Sequence, residues 1–360
     1  MSRTRALSAA VATVAVLLAA ACQAEPDSAT VRADESATGA PTPSPSPTPV
    51  TSTLVFAGDV HFTGRTLRLL DDPATAFGPV TPLLRDADFT MLNLETAVTT
   101  RGTAEPKQYL FRAPATAFDA LRAAGVDVVS LANNHTLDYG QVGLADTFAA
   151  ASAANFPIVG AGVNAQAAYA PLYTTVNGLR VALLAFSQVT ELASTWVATD
   201  TRPGLALAIS DAQLERAATA VRSARAEADV VIVFMHWGQE YNECPISLQK
   251  KAAAAFAQAG ATAIVGTHAH VMQGDGWLGS TYVSYGMANF LWYVSNTPSV
   301  ETGLYRLTLT GSTITSVEFV PTMLDSRTGQ PIPATGADAE RIQARHERLR
   351  GCTGLSAAPS

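Results

Sequence analysis

From residue 53 onward the chain predicts an α/β fold in one domain of roughly 270 residues. Three observations carry that expectation. Short apolar runs alternate with amphipathic, Ala-rich segments; after residue 280 the pattern changes to strands separated by tight turns; and no internal repeat interrupts the order. The first strands are expected at Thr53–Ala57 and Phe89–Leu92. A helix over Pro114–Ala124, a strand over Val126–Ser130 and a helix over Gly140–Ala154 follow. Strand Arg180–Phe186 precedes helix Asp211–Ala228, and strand Val230–Met235 precedes helix Ile246–Ala259. That last helix stops at Gly260, because glycine accepts the left-handed conformation that closes a helix. Strand Ala263–Val265 ends the α/β part, and Thr281–Tyr285, Gly303–Thr310 and Ser312–Val320 form the β-rich end. The domain is expected over residues 53–325. Residues 326–360 read as a charged helix, Asp338–Arg350, and a loose tail.

The 360 residues are 48% apolar and 15% charged, enough to build a core and too apolar for low-complexity disorder. Lys+Arg 23 against Asp+Glu 30 gives a net charge of −7, without the basic surface that phosphate-driven nucleic-acid binding needs. Three cysteines exclude both a disulfide scaffold and a four-thiolate zinc site. Cys244 and Cys352 either pair in an oxidising compartment or stand as two independent thiols.

The first fifty residues do not look globular. Arg3 and Arg5 precede an apolar stretch from Ala6 to Ala21, too short to span a bilayer and built like a secretory signal over residues 1–21. Small residues run into Cys22 as in a bacterial lipobox, although Ala19 stands where that motif usually carries Leu. The expectation is an exported protein held to the outer face of the cytoplasmic membrane through a lipidated Cys22; the alternative is plain secretion. Residues 22–52 form a Pro/Ser/Thr-rich linker. Its alternating prolines from Pro41 to Pro49 favour extended polyproline II, a semi-rigid spacer.

Histidines decide the chemistry. Of six, five (His61, His135, His236, His268 and His270) each lie just past an expected strand. Ligands of open α/β sheets bind beyond the carboxyl ends of the strands. Asp59 and Glu95 deliver carboxylates to the same end, and Asn133 and Asn134 precede His135. Imidazole and carboxylate suit Mn, Zn or Fe. Spacings of two, in Asp59-x-His61 and His268-x-His270, let both side chains of an extended loop face one ion. Seven or eight ligands are too many for one tetrahedral metal and about right for two ions bridged by Glu95. Taken singly, each of these residues reads as an ordinary packed histidine or turn residue; the joint occurrence is the signal. His346, on the C-terminal helix, is expected to be solvated.

Five blocks then resemble a known family: Gly58 to Arg65 around Asp59 and His61, Asn93-Leu94-Glu95, Ala132 to Gly140 around Asn134, His135 and Asp138, His236 to Tyr241, and Gly266 to His270. The blocks from Lys107 to Arg112 and from Tyr285 to Phe290 also match, with Ala288 replacing a glycine. In type and order they resemble the CapA family, the capsule-synthesis and poly-γ-glutamate-associated group of the calcineurin-like metallophosphatase superfamily. The resemblance implies a sandwich of two mixed sheets flanked by helices, with metals at one edge of the strands. It also implies Asp59, His61 and His270 on one metal, Asn134, His236 and His268 on the second, and Glu95 between them. His135 would be the general acid, oriented by Asp138; Arg65 and Lys107 are candidate anion contacts.

The segment Gly160-Ala161-Gly162 mimics a dinucleotide fingerprint but lacks the acidic residue at the right distance, so no nucleotide cofactor is expected. No Gly-x-Ser-x-Gly elbow supports a serine hydrolase. Two functions remain. One is a metal-dependent hydrolase acting on an anionic envelope polymer or a small phosphoester. The other is a non-catalytic subunit that handles capsule polymer or poly-γ-glutamate.

Overall fold

Strands with apolar side chains on both faces must be covered on both faces, and the chain satisfies this with two packed sheets and outer helices. The computed structural model describes residues 50–360, so the expected signal segment, Cys22 and the linker up to residue 49 lie outside the described residues. Among the described residues no helix is long and apolar enough to cross a membrane.

In chain order the strands of the two large sheets are β1 (Thr51–Val60), β2 (Phe89–Leu94), β3 (Val128–Ser130), β4 (Ile158–Val159) and β5 (Leu172–Val176). Then come β6 (Leu179–Ser187), β7 (Val230–His236), β8 (Ala263–Thr267), β9 (Met272–Leu278) and β10 (Thr281–Met287). The last are β11 (Asn289–Leu291), β12 (Glu301–Thr310), β13 (Thr313–Leu324) and β14 (Pro331–Pro333). The longer helices are α1 (Thr116–Ala124), α2 (Gly140–Ala153), α3 (Asp211–Glu227), α4 (Ser247–Gln258) and α5 (Gly336–Leu349).

One sheet runs β14-β13-β12-β1-β2-β3-β4, with β11 beside the end of β1; the other runs β9-β10-β8-β7-β6-β5. Both are mixed. β1, β2, β3 and β4 are parallel, whereas β12 is antiparallel to β1. In the second sheet β6, β7, β8 and β10 are parallel, with β5 and β9 antiparallel at the edges. The sandwich of two mixed sheets implied by the resemblance is therefore what the chain forms.

The period of two along each strand divides the core into layers. Leu54 and Phe56 of β1 face Ile232 and Phe234 of β7 in the layer between the sheets. Val55 and Ala57 turn the other way, toward Phe118 and Leu121 of α1. Val231 and Val233 pack outward on Leu214 and Val221 of α3 and Phe256 of α4.

Three expectations need correction. The linker expected through residue 52 ends earlier: β1 begins at Thr51, and Ser52 and Thr53 pair with Leu309 and Thr308 of β12. The tail is not loose: Trp277 and Ser356 exchange main-chain hydrogen bonds of 2.8 and 2.9 Å. His346 is not solvated: it is 3% exposed and stacks on Phe319 with ring centroids 3.9 Å apart. The polar look of α5 hides one buried face, with Ile342, Arg345, His346 and Leu349 on it.

Candidate metal centre

Every parallel strand that points the same way delivers its carboxyl end to one edge of the sandwich, and the chemistry collects there. At the end of β1 the register shifts between Phe56 and Asp59 against β2, and again between Asp59 and Val60 against β11. Such a bulge re-aims a side chain, here that of Asp59. Gly58 permits it: a Cβ there would lie 1.8 Å from the carbonyl oxygen of Ala288. Asp59 N–H donates to that same carbonyl at 3.0 Å. Ala288 itself has φ +62, as do His268 at +88 and His270 at +55, so left-handed backbone at residues with a Cβ gathers around this edge. The glycine expected from the family at position 288 suits that φ; the alanine here adopts it under strain.

Asp59, His61, Glu95 and His236 are completely buried, and Asn134, His135, His268 and His270 are 7% exposed or less. Two sets of ligand atoms lie within 4.8 Å of one another: Asp59, Glu95 and His236, and Glu95, His268 and His270. Glu95 belongs to both. Its Oε1 is 3.4 Å from His236 Nε2 and 3.8 Å from His135 Nε2. Asn134 Oδ1 adds an amide oxygen 2.7 Å from His236 Nε2. These sets overlap and do not divide the residues between two ions: Asp59 Oδ2 also lies 3.5 Å from His270 Nδ1, and the His236 and His268 ring centroids are 4.6 Å apart.

His61 belongs to neither set. Its Nδ1 accepts from Thr63 N–H at 3.0 Å, which leaves the ring proton on Nε2, and the ring is walled by Phe111, Trp292 and Tyr293. A metal at Nε2 requires that proton on Nδ1. His270 is set the other way. Asn289 spends its amide N–H groups on the carbonyls of His270 and Ser299, so its Oδ1 receives His270 Nδ1–H at 2.8 Å and Nε2 stays free as a ligand.

The electrostatics fit a bound cation. Burial pushes the Asp59 carboxyl up to about 6, with Glu95 adding to it, and raises Glu95 well above the usual carboxylate range. Burial also drives the imidazoles neutral: His236 falls to about 4, and His61, His135 and His268 fall well below their ordinary value. Both carboxylate oxygens of Glu95, and His268 Nδ1, are buried without a hydrogen-bond partner. An unpaired buried carboxylate costs several kcal/mol unless something compensates it, and neutral imidazoles with free lone pairs beside it are the donor set of a divalent ion. The residues therefore fit the metal that the resemblance implies.

His135 stands at the rim of this cluster. Its Nδ1 lies 2.6 Å from Asp138 Oδ2, leaving Nε2 toward Glu95. Asp138 also accepts from Phe111 N–H at 2.6 Å and from Lys107 Nζ at 2.7 Å; burial pushes its carboxyl up to about 7 while Lys107 pulls it down. Lys107 is buried, donates to Asn134 O as well, and sits 4.9 Å over the ring of Trp196. Arg65, the other candidate anion contact, donates to the main-chain carbonyls of Tyr293 and Ser326 and acts as a strap between loops. Sequence reasoning missed the supporting amides Asn93 and Asn289, although both stand inside blocks it singled out. Asn93 Nδ2 donates to Asp59 Oδ1 at 2.8 Å. It also missed the acidic mouth, Glu191 and Glu240, which lie in loops whose proximity only the fold creates.

Cys244 and Cys352 form a disulfide with Cα atoms 5.7 Å apart. It fastens the segment after α5 to the loop that follows His236.

Residues 53–293 match the family model described as bacterial capsule synthesis protein PGA_cap. The chain is 31% identical over 297 residues to the capsule biosynthesis protein CapA of Bacillus anthracis, covering 81% of this chain and 71% of that one. It is 29% identical over 283 residues to the PGA biosynthesis protein CapA of Bacillus subtilis, covering 77% and 73%. Among solved structures, a phosphatase from Mycoplasma pneumoniae is similar with a TM-score of 0.48 at 14% identity, over 76% of this chain and 94% of that chain. With the model matching two thirds of its length and the first relative covering four fifths of it, the chain belongs to the bacterial capsule synthesis PGA_cap family.

Proposed function

We propose that this protein is a metal-dependent hydrolase of the cell envelope that acts on a phosphoester or amide bond in capsule or poly-γ-glutamate metabolism. The observation that carries this reading is Glu95, buried with both oxygens unpaired and shared by two sets of ligand atoms. That arrangement suits two divalent ions, of Mn, Zn or Fe, with Glu95 between them. When bound, such ions supply Lewis-acid stabilisation of the charge that develops on the substrate's oxygen.

The chain's own residues do the rest. Asp138 holds His135 through Nδ1 and keeps Nε2 facing the cluster, where it takes a proton from the attacking water and gives it to the leaving group as the scissile bond breaks. Lys107 pins Asp138 and the Asn134 carbonyl, so it positions the acid–base pair. Asp59, Glu95, Asn134, His236, His268 and His270 would hold the ions, and His61 would join them only with its ring proton moved to Nδ1. The substrate class is an anionic envelope polymer or a small phosphoester. The basic start, apolar stretch and Cys22 of the N-terminus support export and a lipid anchor in the cytoplasmic membrane.

The relatives are named as biosynthesis proteins, which favours a second reading: a non-catalytic subunit that binds anionic polymer during capsule or poly-γ-glutamate synthesis. Metal analysis of the full chain purified without chelator, as wild type and as Glu95→Gln, separates the two. About two ions per chain in the wild type, lost in the variant, with metal-dependent turnover of phosphodiesters or γ-glutamyl amides lost in His135→Ala, is the expected result. Absence of bound metal, and of uptake from added Mn, Zn or Fe, would leave the polymer-binding subunit.

A further inference from the structure

The cleft over Glu95 has two lobes that meet at Tyr109, His135 and Glu240. One, about 380 Å³, is polar and is lined by Lys107, Gln108, Asn134 and Glu191. The other, about 180 Å³, is aromatic and is lined by Phe111, Tyr241, Trp292 and Tyr293 beside His270. Two of these rings contribute little to the core: Tyr109 is 55% exposed and Tyr241 is 61% exposed.

Tyr241 is held out deliberately. Its φ of +60 is left-handed, and its N–H donates at 2.8 Å to the carbonyl of Ala269, the residue between His268 and His270. A strained backbone at a bulky residue persists only where the surroundings over-determine it, and such residues cluster at ligand sites. Here the strain presents a ring 6.4 Å from the His270 ring instead of burying it. Tyr293 lies below, stacked on Trp292 with centroids 6.0 Å apart.

Charge narrows the ligand. Lys107 is the one cation lining either lobe among the described residues, and it is already bound to Asp138, Glu191 and the Asn134 carbonyl. Glu191 and Glu240 make the mouth acidic. Among the described lining residues no free basic side chain stands beside these rings, so a stacked nucleobase would lack the positive groove that normally accompanies it. Flat ring faces edged by phenol hydroxyls and carboxylates instead match a pyranose: its C–H face packs on an aromatic ring, and its hydroxyls donate to carboxylates and exchange hydrogen bonds with phenols.

We propose that Tyr241, Tyr109 and Tyr293 form an aromatic subsite that seats a sugar ring of the substrate. The placement of the reacting bond rests on the hydrolase reading; the binding of the ring does not.

Full-length protein is tested for binding by saturation-transfer NMR and Trp fluorescence, with maltotetraose, chitotetraose, oligo-γ-glutamate and AMP as probes. Binding of at least one tetrasaccharide is expected, weakened about tenfold in Tyr241→Ala and in Tyr109→Ala and retained in Tyr241→Phe. Metal content and melting temperature should stay at wild-type values, since both rings are exposed. Failure of every saccharide to bind, or equal binding by the alanine variants, overturns the proposal. Binding of AMP alone, lost in Tyr241→Ala, overturns it in favour of a nucleobase subsite. Saccharide binding by a protein that neither holds nor takes up metal would sustain the subsite and defeat the hydrolase reading.

Discussion

The described residues bury two clusters that hold acids and histidine, and they are built on opposite principles. Under α5, Asp275 accepts from the Tyr282 hydroxyl at 2.7 Å and from Arg350 at 3.2 Å. Glu301 is held there by Arg345 at 2.5 Å and by Arg341 at 2.8 Å. At the strand edge, neither Glu95 oxygen makes a hydrogen bond to a charged donor among the described residues. In the first cluster the protein satisfies its own charges; in the second it leaves a carboxylate unpaired among neutral imidazoles. Neutral lone pairs and bare carboxylate oxygens are costly on their own and useful only to a cation.

The same substitution made in both clusters should therefore have opposite signs. Glu301→Gln removes one partner of a buried ion pair and leaves Arg345 with the half-exposed Glu243 alone, so about 2–3 kcal/mol of stability is expected to be lost. Glu95→Gln removes an unpaired buried carboxylate, so the metal-free protein should gain about 1–3 kcal/mol. In the presence of metal the order reverses for position 95, because the wild type gains the binding energy and the variant does not. Urea unfolding with and without chelator measures all four values. A loss of stability in metal-free Glu95→Gln would show that Glu95 is satisfied in some other way and would dissolve the contrast.

The disulfide links the two regions. Cys244 follows the loop that carries Glu240 and Tyr241, and Cys352 follows α5, with the pair closing a loop of 108 residues. Cys352→Ser is expected to cost about 2–5 kcal/mol, chiefly through the unfolded chain. Reductant should bring the wild type down to the variant and leave the variant unchanged. A wild type indifferent to reductant, with no mobility difference on a non-reducing gel, would remove the link.

The contrast also explains what could be read from the chain. Strands such as Val230–His236 were legible because burial on both faces makes an uninterrupted apolar run. Leu172–Val176 and Met272–Leu278 were not, being edge strands with threonines in one and glycines in the other. That Asp59, Glu95 and the five histidines meet was legible from their common place after strands. Which ring nitrogen each histidine offers was not, because His270 Nδ1 is taken by Asn289, brought in by a different strand. Arg65 and Lys107 looked alike as cations; only their partners separate a strap from a positioning residue. His346 misled because its helix is polar on the faces that a reader of sequence sees most.

His346 supplies the smallest and most discriminating test. It is buried against Phe319 and Tyr305, with Asp275 Oδ1 3.3 Å from Nε2, and neither ring nitrogen makes a hydrogen bond. Burial lowers its pKa below the ordinary value, and Arg350 helps, against the opposing pull of Asp275. The folded protein thus holds this ring neutral where the unfolded chain, titrating near 6.5, takes up a proton. Its contribution to stability is present above about pH 6.5 and is lost as the pH falls toward the lower folded value, at no more than about 1.4 kcal/mol per pH unit. The metal-site histidines share that sign, so the wild-type slope alone cannot be assigned. His346→Phe keeps the stacking shape and removes the titration. The difference between wild type and variant, measured by urea unfolding with metal bound at pH 7.5 and 5.5, should therefore shift in favour of the variant on acidification. An unchanged difference would mean that Asp275 pairs with the protonated ring in the folded state, and that the cluster under α5 satisfies its histidine as fully as its acids.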